Sequence, residues 1–483
     1  MFEVYRKSRG IAIVALCSLQ VFMLFGLVLL FIFVLVSNLY FPDVGLDNLI
    51  FHVRTANLLY AGSLAKGKYI SPGSVIFSVL LFFIFCWLIY YSLVIGSAKK
   101  TILFLSFCWI VALAGLDYRY HYWKYIGNKF ISEDFYEQNY VKPELAKISF
   151  PTDKKNLVLL YLESIESTYQ NERLFGENLL PSLSSAEQQS LRFDGFRQTT
   201  GTGWSMASVV AGSCGISLNL FQPPNQIVSQ EYFLRHIVCL QDILDRAGYF
   251  QGFIKGGHSS FAGLDLFLDN RAEGKIQVTD SVYFFTSYQN AEGEPMGAKD
   301  SLMYEEAKKQ ITEMAAQQKP FFMTLFTLNT HFDGYLEEMC DEKYGDFRDN
   351  VKCADLLVGE FIEWFQKQSF AKDTVLIVSG DHLAMGNNIY GRYLQPYPEQ
   401  RRIYFSIYNS RKVPRNGERD FTALDLFPTI LESLGAEIEG GCLGLGCSIL
   451  SSGKTLYEKY GAAQLEEKLS YLSRYYDKFI FNY

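Results

Sequence analysis

Four apolar runs of strand length, each followed by a polar or ionisable side chain, constrain the fold of this chain most strongly. The runs cover residues 156–162, 248–254, 321–328 and 374–378. Stretches of helical character lie between them, at residues 205–213, 236–246, 302–317 and 352–368. Continuous apolar runs are typical of strands buried on both faces. Their alternation with helices indicates an α/β domain with a mainly parallel sheet flanked by helices.

The side chains that follow the four runs are the first candidates for a functional site. They are Glu163, His258, His331, Asp381 and His382. In open α/β sheets, ligands bind outside the carboxyl ends of the strands, so we expect these residues to converge although they are distant in sequence. Two carboxylates, one imidazole and a hydroxyl would suit Mn²⁺ or Zn²⁺ better than Mg²⁺, which prefers an all-oxygen cage.

The hydroxyl of that set comes from a Thr/Gly-rich run, residues 199–203, that leads through Trp204 into a helical stretch. Ser205 stands at the N-cap or in the first turn. Its hydroxyl there faces unpaired backbone N–H groups and the positive end of the helix dipole. This position suits a nucleophile that binds phosphate, and a bound metal would lower the pKa of the hydroxyl. An ordinary capped helix after a flexible loop is the alternative interpretation.

The first 116 residues are much more apolar than the rest of the chain. The run 11–38 is too long for a signal-peptide core, and basic residues precede it, so it indicates a spanning helix with a cytoplasmic N-terminus. We predict two further spans at residues 74–96 and 101–116, separated by a basic turn, and an interfacial segment near 44–65. The membrane domain would therefore occupy residues 1–116.

Three spans from a cytoplasmic start place the rest of the chain outside the cytoplasm. Residues 117–150 would form a juxtamembrane linker, and residues 151–483 an exported catalytic domain. Six cysteines lie beyond the spans, and an even set in an exported domain indicates disulfides. Fifteen pairings are possible, and a metal–thiolate cluster competes with them, although no CxxC pair supports it. Pairing neighbours in sequence gives Cys214–Cys239, Cys340–Cys353 and Cys442–Cys447.

Charge excludes one class of partner. The formal net charge is −7 and the sequence pI is near 5.6, values that argue against a nucleic-acid-binding protein. We also find no zinc-finger spacing, P-loop or dinucleotide-binding glycine motif.

Five ordered motifs over roughly residues 155–450 resemble the phosphoglycerol transferase I family. That family is grouped with lipoteichoic acid synthases and phosphoethanolamine transferases in the alkaline phosphatase/sulfatase superfamily. The motifs begin at Glu163 (Glu-Ser-Ile-Glu-Ser-Thr-Tyr), Gly201 (Gly-Thr-Gly-Trp-Ser-Met-Ala-Ser), Thr330 (Thr-His-Phe-Asp), Ser379 (Ser-Gly-Asp-His-Leu-Ala-Met) and Asp425 (Asp-Leu-Phe-Pro-Thr-Ile). The Cys/Ser-x-Pro-x-Arg motif of true sulfatases is not matched, because Ser205-Met-Ala-Ser-Val lacks both the Pro and the Arg.

The resemblance implies roles for particular residues. One divalent metal ion, Mn²⁺ by preference and otherwise Zn²⁺ or Mg²⁺, would be held by Glu163, Ser205, Asp381 and His382. Ser205 would be the nucleophile where most relatives carry Thr, with Thr202 as the alternative. His331 would contact the phosphate or protonate the leaving oxygen, and His258 is a further substrate-binding candidate. The pairs Cys214–Cys239 and Cys340–Cys353 are also implied as disulfides.

The resemblance also implies an activity and a location. A phospholipid head group, phosphoglycerol from phosphatidylglycerol by preference, would pass through a covalent phospho-enzyme to a periplasmic glucan. The enzyme would be a multi-pass protein of a bacterial inner membrane with its catalytic domain in the periplasm. Transfer of phosphoethanolamine from phosphatidylethanolamine to lipopolysaccharide is the close alternative. A phosphodiesterase and an inactive sulfatase-like scaffold are the more distant ones.

Overall fold

The computed structural model divides the chain into two compact units, Met1–Ser132 and Glu133–Tyr483. It describes residues 18–20, 22–23, 25–30, 98–120, 134–218, 233–284, 288–289, 295–331, 334–384, 393–394, 398–414, 418–471 and 473–480.

In the first unit, helix α1 (Ala98–Tyr120) contains the third predicted span, residues 101–116. The predicted span 74–96 and the interfacial segment 44–65 lie outside the described residues, as does most of the run 11–38. Within the described ranges, no helix has both the length and the apolar character needed to cross a bilayer.

The second unit is an α/β domain whose remaining elements follow one another along the chain. The strands are β1 (Ile148–Ser149), β2 (Asn156–Leu162), β3 (Leu191–Arg192), β4 (Phe250–Lys255), β5 (Gln277–Thr279), β6 (Tyr288–Gln289), β7 (Pro295–Gly297), β8 (Phe321–Phe326), β9 (Thr374–Gly380), β10 (Phe405–Tyr408), β11 (Glu437–Ile438), β12 (Cys442–Leu443) and β13 (Gly446–Cys447). The helices are α2 (Phe135–Asn139), α3 (Glu172–Phe175), α4 (Pro181–Ala186), α5 (Ser205–Cys214), α6 (Leu240–Arg246), α7 (Leu264–Asp269), α8 (Ser281–Phe284), α9 (Asp300–Ala316), α10 (Phe347–Gln366), α11 (Leu426–Ser433) and α12 (Leu456–Leu469).

Seven strands form the main sheet, in the order β3-β10-β9-β2-β8-β4-β5. The five strands from β9 to β5 are parallel, whereas β10 pairs antiparallel with both β9 and β3 at one edge. The predicted mainly parallel sheet is therefore confirmed. Because β2 lies between β8 and β9, the carboxyl ends of these three strands are neighbours.

The central strands are buried on both faces, as their continuous apolar sequences predict. On one face, Val158 and Leu160 of β2 belong to a core that also contains residues of α9 and α10, such as Met303 and Phe361. On the other face, a Cβ added to Gly212 of α5 would lie 2.7 Å from the Tyr161 hydroxyl. Helix α5 can therefore lie close against the sheet at this point because it carries a glycine there.

The predicted elements are present, with some shifted ends. The predicted strand 248–254 begins only at Phe250, because Gly248 has a positive φ of 85° and the Tyr249 N–H donates to the carbonyl of Leu244 in a turn. The predicted helix 236–246 begins at Leu240, since the backbone N–H of Cys239 is capped by the carboxylate of Asp242 at 2.9 Å.

The structure contains all three disulfides that pairing of sequence neighbours predicts: Cys214–Cys239, Cys340–Cys353 and Cys442–Cys447. The first joins the end of α5 to the residue that precedes α6. The competing metal–thiolate cluster is wrong for these six cysteines.

Candidate active site

The carboxyl ends of β2 and β9 bring two acidic residues together. These strands are parallel neighbours, and Leu162 pairs with Gly380 at the last position of the ladder. Glu163 and Asp381 are the next residues of their strands, so they leave the sheet side by side. Gly380 is required here, because a Cβ at this position would lie 2.1 Å from the carbonyl oxygen of Ile165.

Glu163, Asp381 and His382 form a buried group that could hold a metal ion. One ligand atom from each lies within 4.8 Å of the others. The imidazole Nε2 is 3.4 Å from Glu163 Oε1 and 3.3 Å from Asp381 Oδ2. The three side chains are no more than 2% exposed, so little solvent would compete with a bound cation.

Two atoms of this group fit a cation because the described structure gives them no hydrogen-bond partner. Asp381 Oδ2 and His382 Nε2 are both buried and unsatisfied, a costly arrangement unless a ligand completes it. The atoms opposite them are engaged: Asp381 Oδ1 accepts from the backbone N–H groups of Ser164 and His382, each at 2.8 Å. Nδ1 of His382 is 2.9 Å from the carbonyl oxygen of Leu383. These bonds direct the unsatisfied atoms inward, as outer-shell partners of metal ligands commonly do.

The charges in the group are strongly coupled. Burial opposes the ionised carboxylate, but His382, and then His331, lower the pKa of Glu163 to about 2. Burial and the nearby Glu163 raise the pKa of Asp381 to about 7. Burial also opposes the charged imidazole, yet Asp381 and Glu163 raise the pKa of His382 to about 10. Without a metal, the two acids thus hold a proton on His382, and a divalent cation would replace it.

Ser205 is the first residue of α5, and its hydroxyl joins the acidic group. Trp204 is the N-cap, and the Ser205 Oγ donates to Glu163 Oε2 at 3.0 Å. The predicted first-turn position of this hydroxyl is therefore observed. Ser205 lies at the positive end of a ten-residue helix, which favours a phosphate or a developing negative charge at this atom.

The turn after β8 lies against Glu163. The hydroxyl of Thr330 donates to the Glu163 carbonyl at 2.5 Å, and the Glu163 N–H donates to the hydroxyl of Thr327 at 2.9 Å. The half-buried His331 follows Thr330, and its charge lowers the pKa of Glu163. His331 is thus electrostatically coupled to the acidic group, as its position after a strand predicts.

Two predicted substrate-binding residues are placed differently. Thr202 is 1% exposed; its hydroxyl donates to the Thr199 carbonyl at 2.8 Å and accepts from the Thr199 N–H at 3.1 Å, so it is engaged in a local turn. His258 is exposed, and its Nδ1 lies 2.7 Å from the hydroxyl of Ser260. No printed contact of either residue reaches the acidic group among the described residues.

Lys255 is a candidate that the sequence analysis passed over. It is the last residue of β4, half-buried, and its ammonium lies 5.9 Å from the ring centroids of both Phe261 and Phe326. Desolvation lowers the pKa of Lys255 to about 8, although Glu163 and Asp280 raise it. The available signal was its position at a strand end, which we applied only to acids and histidines.

A buried ion pair supports the segment that follows His382. The guanidinium of Arg401 bonds both carboxylate oxygens of Glu166, and the Ala384 N–H donates to Glu166 at 3.0 Å. The Leu383 N–H donates to the Gln198 side chain at 2.8 Å. Glu166 therefore holds the segment in place, a role that the sequence gave no means of assigning.

The fold and the strand-end acidic group define a class. A family model described as Sulfatase matches residues 155–436, which is more than half of the chain. The chain therefore belongs to the sulfatase family, and its catalytic unit is an alkaline phosphatase/sulfatase-like α/β domain.

Within that class, the chain is similar to proteins named phosphoglycerol transferase I. The protein of that name from Escherichia coli (strain 55989 / EAEC) is 31% identical over 314 residues, which cover 63% of this chain and 40% of the relative. The one from Salmonella arizonae (strain ATCC BAA-731 / CDC346-86 / RSK2980) is 31% identical over 328 residues, or 65% of this chain and 41% of the relative. The chain thus matches about two fifths of the length of these curated relatives.

Solved structures are also similar to this chain. The lipoteichoic acid synthase LtaP from Listeria monocytogenes has a TM-score of 0.48 and 20% identity, and the match covers 64% of this chain and 79% of LtaP. A protein in the alkaline phosphatase superfamily from Vibrio parahaemolyticus has a TM-score of 0.47 and 23% identity, over 59% of this chain and 69% of that one.

Proposed function

We propose that this chain is a metal-dependent phosphotransferase that moves a phospho-alcohol head group from a phospholipid to an envelope glycan. The observation that carries the proposal is the Ser205 hydroxyl, which donates to Glu163 at a helix N-terminus. Beside it lie the unsatisfied atoms of Asp381 and His382. The similarity to proteins named phosphoglycerol transferase I favours phosphoglycerol as the group transferred and phosphatidylglycerol as its donor.

Glu163, Ser205, Asp381 and His382 would hold one divalent cation. Three oxygen ligands and one imidazole favour Mn²⁺, with Zn²⁺ and Mg²⁺ as alternatives. When bound, the cation supplies Lewis acidity that polarises the phosphoryl oxygens and lowers the pKa of the serine hydroxyl.

In the first half-reaction, Ser205 Oγ forms a bond to phosphorus and the bond from phosphorus to the diacylglycerol oxygen breaks. The serine proton leaves toward Glu163, its hydrogen-bond acceptor, and His331 donates a proton to the departing diacylglycerol oxygen. In the second half-reaction, a glycan hydroxyl attacks the phosphoserine and His331 accepts its proton. The serine oxygen leaves and regains the proton from Glu163, so both halves balance.

We place the enzyme in a bacterial inner membrane with its catalytic domain in the periplasm. The support is the set of predicted spans at 11–38, 74–96 and 101–116 and the three disulfides, since disulfides persist in oxidising compartments.

Intact-mass analysis of the purified full chain would test the reaction and identify the donor. The protein is incubated with Mn²⁺ and vesicles that contain either phosphatidylglycerol or phosphatidylethanolamine. We expect a mass gain of one phosphoglycerol group with the first lipid. A phosphoethanolamine gain with the second lipid would instead support the alternative transferase, whose acceptor is lipopolysaccharide.

The same preparation separates the remaining alternatives. Adding a periplasmic glucan should discharge the loaded protein faster than water does. Discharge at the same rate with and without glycan would support a phosphodiesterase. Absence of any gain with both lipids, in protein shown to bind Mn²⁺, would leave the inactive scaffold.

Lys255 gives this function a pH dependence. Its positive charge, coupled to that of Glu163, would help to hold the anionic phosphodiester beside Ser205. Because its pKa is lowered to about 8, the charge is present below that pH and is lost as the pH rises through it. We expect the apparent affinity for the lipid to fall above about pH 8 in the wild type.

Arginine keeps its charge throughout this range, so Lys255→Arg should remove the alkaline loss and Lys255→Met should weaken lipid binding at all pH values. The measurement is the KM for vesicle lipid between pH 6 and 10, a range centred near the pKa of about 8. Identical pH profiles for the wild type and Lys255→Arg would contradict the assignment.

A further inference from the structure

The turn that carries His331 is held from two sides. On the side of the active site, Thr330 donates to the carbonyl of Glu163. On the other side, Asp300 at the start of α9 accepts the N–H of Leu328 at 2.7 Å and that of Asn329 at 3.1 Å. The His331 N–H donates to the Leu328 carbonyl at 2.9 Å, which closes the turn.

A second buried acid completes this support. Asn329 donates from its side-chain amide to Glu337 at 2.6 Å, and its carbonyl oxygen accepts the N–H of Asp300 at 3.2 Å. Ser301 donates to Glu337 from both its N–H and its hydroxyl. Asp300, Asn329 and Glu337 are each at most 2% exposed. A network of this kind, with all its members bonded and buried, rigidifies the backbone that it contacts.

Burying two carboxylates in one network is costly and is not needed merely to end a strand. The turn they support is the one that reaches the active site. Leu328 and Asn329 are bound by Asp300, the next residue is bound to Glu163, and the residue after that is His331.

We propose that Asp300 is a positioning residue that fixes the His331 turn against the metal-binding group. The proposal rests on the function proposed above only for the consequence, since the role of His331 is the transfer of protons to and from the substrate oxygens. A displacement of about 1 Å at a reacting group can cost roughly a hundredfold in rate. Asp300 would therefore act on catalysis without contacting the substrate.

The chain offers a matched control for a change at this position. Asp355 of α10 accepts two successive backbone N–H groups at the start of α4, those of Ser182 at 2.8 Å and Leu183 at 2.9 Å, and is 2% exposed. Asp300→Asn and Asp355→Asn make the same change, since each places an amide N–H₂ where a buried oxygen accepted a backbone N–H. Both should lower stability comparably, and only the first lies next to the His331 turn.

Hydrogen exchange measured by mass spectrometry on the full chain reads the turn without any turnover. Asp300→Asn should speed exchange in the peptide that contains residues 328–331 and not in the one that contains 182–183. Asp355→Asn should give the reverse pattern. Unchanged exchange at 328–331 in Asp300→Asn would overturn the proposal.

The rate of Ser205 loading from phosphatidylglycerol reads the consequence. We expect Asp300→Asn to slow it by roughly tenfold to a hundredfold, with metal affinity retained, and Asp355→Asn to leave it close to wild type. In a His331→Ala background, Asp300→Asn should cause little further slowing, because its effect acts through that residue.

The outcomes separate the two proposals. Full multiplicative slowing in the double variant, or equal slowing by both Asn variants, would show a structural role alone and overturn the positioning role. If the wild type never acquires a head group, the proposed function fails, and the exchange result alone decides whether Asp300 fixes the turn.

Discussion

Ser205→Ala is expected to abolish loading of the protein with a head group and to reduce transfer by at least about a thousandfold. The serine oxygen supplies one of the two atoms of the covalent bond, and it lies at the helix N-terminus, 3.0 Å from Glu163 Oε2. Ser205→Thr should retain activity, because threonine keeps the hydroxyl and adds one methyl group. The measurement is the fraction of protein that gains mass after incubation with phosphatidylglycerol and Mn²⁺.

Ser208→Ala is the matched control for this variant. Ser208 belongs to the same helix, its hydroxyl is buried without a partner in the described structure, and removing it makes no bond or charge worse. We therefore expect normal loading and equal or slightly higher stability. A mass gain that persists in Ser205→Ala would reassign the nucleophile. Thr202 would then be the first residue to change, although its hydroxyl is bonded to Thr199.

The strands that end at the site could be predicted from the sequence because buried parallel strands are continuous apolar runs. β2 and β9 are flanked by other strands on both edges and covered on both faces, so their sequences contain few polar residues until the sheet ends. The first polar residue after each run therefore marks the carboxyl edge, and Glu163 and Asp381 could be assigned in this way.

The order of the strands could not be predicted in the same way. Nothing in the runs states that β2 lies between β8 and β9, and this order alone makes Glu163 a neighbour of Asp381. The antiparallel edge was also missed, because β3 has two residues and β10 has four, too few to show a period.

The supporting residues were missed for a different reason. Asp300 stands in the first turn of a helix, where an acid usually needs no explanation beyond the helix dipole. Its partners, the N–H groups of Leu328 and Asn329, are backbone atoms nearly thirty residues away. Backbone groups leave no side-chain signature, so the bonds to Asp300 and Glu166 became visible only in the folded structure.

Asp381→Asn is expected to separate metal binding from folding. Asp381 Oδ1 accepts two backbone N–H groups, and an asparagine in the same orientation keeps both. Its amide N–H₂ would replace Oδ2, which lies 3.3 Å from His382 Nε2 and has no other partner among the described residues. The metal-free variant should therefore be at least as stable as the wild type, and its affinity for Mn²⁺ should fall by at least about a hundredfold.

The pH dependence has a defined sign. Burial and Glu163 raise the pKa of Asp381 from its ordinary value of 3.8 to about 7 in the metal-free fold. The protonated acid is thus favoured by folding. Its contribution to stability is complete below pH 3.8 and is lost as the pH rises through about 7. Asp381→Asn removes this loss, so its advantage over the chelated wild type should grow between these two pH values.

Thermal unfolding of the full chain, with a chelator or with Mn²⁺, tests both statements. Saturation at a hundred times the Kd stabilises a protein by about 2.7 kcal/mol, so Mn²⁺ should raise the Tm of the wild type and leave that of Asp381→Asn almost unchanged. Asp425→Asn is the control: Asp425 is buried, but Cys447 and Thr422 donate to its two oxygens. That variant should lose about 1–3 kcal/mol and still respond to Mn²⁺. A normal Mn²⁺ response in Asp381→Asn would place the metal elsewhere, because a site at Glu163 and His382 cannot lose the oxygen between them without losing affinity.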